Sequence, residues 1–84
     1  MSHAGEVWIS RDAHEVFAVV TGRDERAVGV VFVVDDGALI ARGHAAAVEK
    51  LRGALVARGC NVPIADVLDA VAAVARDGRP RALP

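Results

Sequence analysis

Tyrosine is absent from this 84-residue sequence, and cysteine, methionine and tryptophan each occur once. Lysine also occurs once, at Lys50, against nine arginines. Each scarcity removes a class of explanation. The lone thiol of Cys60 builds no intramolecular disulfide framework and supplies no CxxC pair for zinc. The aromatic side chains are Trp8, Phe17 and Phe32 alone, too few to stack the successive bases of a single strand. No glycines fall at GxGxxG or P-loop spacing, so no nucleotide cradle and no cofactor are expected. The apolar runs are far shorter than the ~20 residues of a membrane-spanning helix. No secretory signal pattern opens the chain. A reducing cytoplasm, and no membrane partner, is the expectation.

What is present is a globular composition: 54% apolar and 25% charged residues. That length and balance predict one small domain. Abundant Ala, Val, Gly and Arg with one Lys fits a GC-rich bacterial coding sequence. The net charge is -1, so no global field points to nucleic acid or membrane. The charge is split, however. Residues 1–36 carry seven acids and three bases, and residues 37–84 carry four acids and seven bases. A two-signed chain of this kind can pair with a copy of itself or offer a basic end to an anion.

The first half reads as strands and the second as helices. "EVWIS" (6–10), "EVFAVVTG" (15–22), "AVGVVFVV" (27–34) and "ALIARG" (38–43) are rich in β-branched and aromatic residues or follow a turn signal. The connections "RDAH", "RDER" and Asp35-Asp36-Gly37 are short enough only for antiparallel neighbours. Residues 12–21 also fit a helix, with Asp12 and Glu15 as a capping box. The run Val-Phe-Val-Val-Thr loses side-chain freedom in a helix and favours the strand.

Residues 44–59 place Val48, Leu51 and Leu55 on one helical face and end at Gly59, a C-terminal cap. Asn61 can cap a second helix, with Pro63 in its first turn and Asp66 at its positive end. Ile64, Val67, Leu68, Val71 and Val74 form the apolar face, and Asp77-Gly78 ends the helix. The predicted fold is therefore α+β: a four-stranded antiparallel meander, then a two-helix hairpin packed on one face, with βαββαα as the alternative. The domain is expected over 1–78, and 79–84 as a short basic, Pro-containing tail.

Two helices joined by a short link cover one face of the sheet and leave the other. Val31 and Val33, and with them Phe17 and Val19, are then expected on an uncovered apolar face, the candidate interaction surface. A copy of the chain, packed sheet to sheet or through an edge, is the economical cover.

Other residues invite chemistry and fail its requirements. Ser10, Asp12 and His14 are the residue types of a hydrolase triad, but a tight exposed turn has no oxyanion hole. His3, His14 and His44 are not spaced to share a metal. Cys60 at a helix start could be reactive, but a structural, semi-buried thiol is the expected role. Asp35 and Asp36 are explained by the turn. Arg76, Arg79 and Arg81, with Arg52 and Arg58 as possible additions, form a basic cluster that complements a helix end and could hold a phosphate. With no catalytic constellation, the expected function is a non-enzymatic protein-interaction module (a regulator, adaptor or accessory subunit) acting as a homodimer. A nucleic-acid-binding accessory protein using the Arg-rich end is the alternative.

Overall fold

The structure, a computed structural model, describes residues 5–22 and 26–84. Its elements are β1 (Glu6–Asp12), β2 (Glu15–Thr21), β3 (Ala27–Asp35), β4 (Ala38–Leu39), α1 (His44–Ala57), α2 (Ile64–Asp77) and β5 (Arg81–Leu83). The strands form one sheet of order β4-β3-β2-β1-β5, antiparallel at every pairing. The fold is α+β, as the sequence predicts. His3 and most of the 23–26 connection lie outside the described residues.

Residues 15–21 are a strand, so the helical alternative is not adopted. Asp12 pairs with Glu15 across a two-residue turn, which leaves no room for a helical capping box. The β3–β4 turn has Asp36 at φ 50° and Gly37 at φ 76°, the positive values that suit the twist of paired strands.

Three expectations need correction. The fourth strand covers only Ala38–Leu39, not 38–43. Beyond Ile40 the chain leaves the sheet, and Gly43 at φ 78° turns it into α1. Asn61 does not cap α2. Pro63 holds the N-cap position with extended backbone and no side-chain cap, and its carbonyl receives the N–H groups of Asp66 and Val67. Finally, residues 81–83 are not a loose tail but a fifth strand, with Val7 opposite Leu83, Trp8 opposite Ala82 and Ile9 opposite Arg81.

Alternation along the strands builds the core. Val7, Ile9, Val16, Ala18, Val20, Val30, Phe32 and Val34 all face the helices and are at most 2% exposed. Leu51 and Leu55 of α1 and Val67, Val71 and Val74 of α2 meet them. Burying each such large side chain stabilises the fold by ~1.5–3 kcal/mol. Both helices pack chiefly on the sheet, α1 over β3 and β2, α2 over β1 and β2 and reaching β4 and β5. They touch each other less than they touch the strands.

The helix ends tie to opposite ends of the sheet. At the end of α1, Gly59 is left-handed (φ 65°). Its N–H donates to Val56 O and that of Cys60 to Leu55 O, at 3.2 and 3.0 Å, so orphan carbonyls of the last turn are satisfied in a Schellman arrangement. At the end of α2, Arg11 of β1 reaches over and donates to the carbonyl of Ala75.

Candidate interaction surface: the open face of the sheet

The strand positions that do not face the helices form the second side of the sheet, and no described element covers it. Register fixes its layout. Ala82, Trp8, Val19 and Gly29 make one cross-strand row, and Ser10, Phe17 and Val31 the next. Val33 lies opposite Glu15. Trp8 is 50% exposed, Val31 41% and Val33 44%, while Phe17 and Val19 are half-buried by their strand neighbours. The four sequence-predicted surface residues therefore share one face. Trp8, which is not among those four, lies between Ala82 and Val19 on the same face.

The charges at the strand positions of this face have one sign. Its strand positions carry Glu6, Asp12, Glu15 and Asp35 and no Lys or Arg. Three of these, Asp12, Glu15 and Asp35, stand at the end of the sheet that holds the β1–β2 and β3–β4 turns. The acids thus stand at the ends of the face with the apolar side chains between them, and no compensating cation lies among the strand residues.

Beside this face, where the chain departs from β3, lies a shallow cleft of about 60 Å³ lined by Val31, Val33, Ile40, Arg42, His44 and Ala47, among others. It is far smaller than the ~300–1,000 Å³ of a typical small-molecule site. The His44 ring stacks tilted against Phe32, centroids 5.6 Å apart, and so anchors the start of α1 to β3.

The basic cluster is held within the fold. Asp77, the last residue of α2, accepts from the Arg79 N–H at 2.8 Å and from Arg81 Nη2 at 2.9 Å. The Arg79 N–H is the largest influence and, together with Arg81, holds its carboxyl below the ordinary carboxylate range, while desolvation acts in the opposite direction. Arg76 is exposed and adjoins Gly37, in the turn that carries Asp35 and Asp36. Arg52 and Arg58 do not join this group. Arg52 reaches Glu49 at 3.7 Å. Arg58 sits against Gly22, at the opposite end of the sheet.

The remaining candidates are dispersed. Ser10, Asp12 and His14 are exposed, and Cys60 is buried as a free thiol against Gly5. Among the described residues, no three of His, Cys, Asp and Glu converge as metal ligands. Again among the described residues, no helix is long and apolar enough to cross a membrane. No family model, no curated protein and no solved structure matches the chain.

Proposed function

We propose that the chain is a small non-enzymatic protein-interaction module, working as a homodimer, that takes up a protein partner on the open face of its sheet. One observation carries the reading: a half-exposed tryptophan, Trp8, beside Val19 and diagonal to Phe17, on an apolar strip that continues to Val31 and Val33 and that no described element covers. Tryptophan is enriched at the energetic centres of interfaces, and monomers rarely leave a contiguous apolar face of this kind in water. The carboxylates around it select the partner. An apolar patch flanked by Arg or Lys complements this face, and an acidic one does not.

The experiment is affinity capture with two baits, the wild-type chain and a Trp8→Ser/Val31→Ser double variant, with circular dichroism as the control for folding. Both substitutions lie at exposed positions, so the variant is expected to fold. A protein retained by the wild type and lost by the folded variant supports the reading. Identical capture by both baits, or none by either, overturns it.

A further inference from the structure

β3 is longer than the strand that flanks it. β2 pairs with it over residues 27–33, whereas β4 covers only Val34 and Asp35 on its other side. The antiparallel pattern gives the direction of each backbone group. Val34 N–H donates to His14 O, towards β2, and Val33 O accepts from Ile40 N–H, towards β4. Groups alternate along a strand, so the N–H and C=O of Ala27, Gly29 and Val31 point outward at the edge. Among the described residues nothing pairs with them.

Such an edge is a template for another strand, and proteins usually blunt it with a charge, a proline or a bulge. The stretch Ala27-Val28-Gly29-Val30-Val31-Phe32-Val33 has no charge and no proline, and its register with β2 runs without a bulge. On the other side of the sheet β5 covers β1 over Val7–Ile9, and the edge β5 itself presents is only three residues long and carries Arg81.

We infer that this edge pairs antiparallel with the same edge of a second copy about a two-fold axis at Gly29, giving one continuous sheet across the dimer. The inference rests on the reading of the chain as a dimeric interaction module and names how its copies join. The choice of a copy as occupant follows from two complementarities. Outward groups at 27, 29 and 31 match themselves when the strand is reversed: Gly29 meets Gly29, and Ala27 meets Val31. No charge is brought against its like. β4 sets the limit of the register, because Ile40 already occupies Val33 O. Stacking two open faces is the competing arrangement. It lays two apolar patches ringed by Glu6, Asp12, Glu15 and Asp35 on each other, and like charges across an interface are costly. Edge pairing instead leaves both open faces side by side for the partner.

The test combines mass and cross-linking. Light scattering on the wild type is expected to give twice the 8.7 kDa chain mass. Gly29→Pro fixes φ at this position and removes an outward N–H without removing a bond to β2, a change that an edge strand tolerates. It is expected to give a folded monomer. Gly29→Lys, which sets two like charges at the axis and has open space for its Cβ, is the second route to the same result should the proline variant not fold. In a Cys60→Ser background, Gly29→Cys is expected to cross-link to itself under mild oxidation and Trp8→Cys is not. Cross-linking through position 8 and not 29, or a dimer that survives a folded Gly29→Pro or Gly29→Lys variant, overturns the edge pairing in favour of stacked faces. A monomeric wild type overturns it outright. Capture by the Gly29 variants keeps the two readings apart. Partner binding retained by a monomeric variant places any fault in the edge alone, and loss on Trp8→Ser in an intact dimer concerns the face alone.

Discussion

The carboxylate of Asp77 and the guanidinium of Arg81 meet at 2.9 Å across the break between α2 and β5. Asp77 also receives the Arg79 N–H. Gly78, left-handed at φ 71°, ends the helix, and the Asp77 side chain ties that end to the start of the last strand. The carboxyl is held below its ordinary value of 3.8, and the sign follows from that direction. A carboxylate depressed on folding adds stability above its unfolded pKa and loses it as pH falls through the folded one. Asp77→Asn is therefore expected to unfold at a lower temperature than the wild type near neutral pH. The gap narrows below pH 3.8 and closes in stronger acid. Thermal melts of the two proteins across that range measure it, and a constant gap refutes the role.

Val30 and Val31 are neighbours in sequence with opposite environments, 1% and 41% exposed. Val30→Ala opens a cavity in the core, and the loss of a buried side chain of this size is expected to cost about 2 kcal/mol. Val31→Ala removes area that is partly in water already and is expected to cost below about 0.5 kcal/mol. Urea titration of both variants reads the difference. Equal costs would mean that the second face is covered in the isolated chain.

Ala13, in the β1–β2 turn, has φ 52°, a conformation that costs an L-residue about 1–2 kcal/mol. Glycine enters this region freely but loses more backbone entropy on folding, about 0.5–1 kcal/mol. Ala13→Gly is expected to stabilise the fold by roughly 0.5–1 kcal/mol, the difference of these terms. For a domain of this size that corresponds to a rise of about 2–8 °C in Tm. A fall in Tm would show that the turn tolerates alanine without strain.

Local chemistry made most of this architecture readable. β-branched alternation in residues 15–21 outweighed a plausible helical cap, because Val, Phe and Thr favour the pleated surface. The helices were marked by apolar spacing and by Gly59 and Gly78, both of which adopt positive φ. Trp8 could have been placed from the same alternation. Val7 and Ile9 are apolar and flank it, so if they face the core it cannot. β5 was not legible, since Arg81-Ala82-Leu83 is short, flanked by prolines and without a pattern of its own. Its pairing depends on β1, distant in sequence, and on the Asp77 contact. The β3 edge was hidden for a related reason. "ALIARG" reads as a full strand, and only the bend at Gly43 shows that it covers just the last residues of β3.

Gly22 tests the junction of the two halves. A Cβ built there would lie 2.7 Å from the carbonyl oxygen of Arg58 and 3.0 Å from its Cβ. Arg58 is the C-cap of α1, where the backbone is held by the bonds of Gly59 and Cys60 and has little freedom to retreat. Gly22→Ala therefore has to shift either the end of β2 or the end of α1. Overpacking of this kind is expected to cost about 1–3 kcal/mol. Gly29→Ala is the internal control, because a Cβ at that position meets nothing within 4 Å. In the isolated protomer it is expected to be neutral or slightly stabilising, since alanine removes the entropy cost of glycine in a strand. Denaturant midpoints of the two variants, taken at a protein concentration low enough to leave the chain monomeric, give the comparison. A Gly22→Ala protein as stable as the wild type would mean that α1 does not press on β2 at this point.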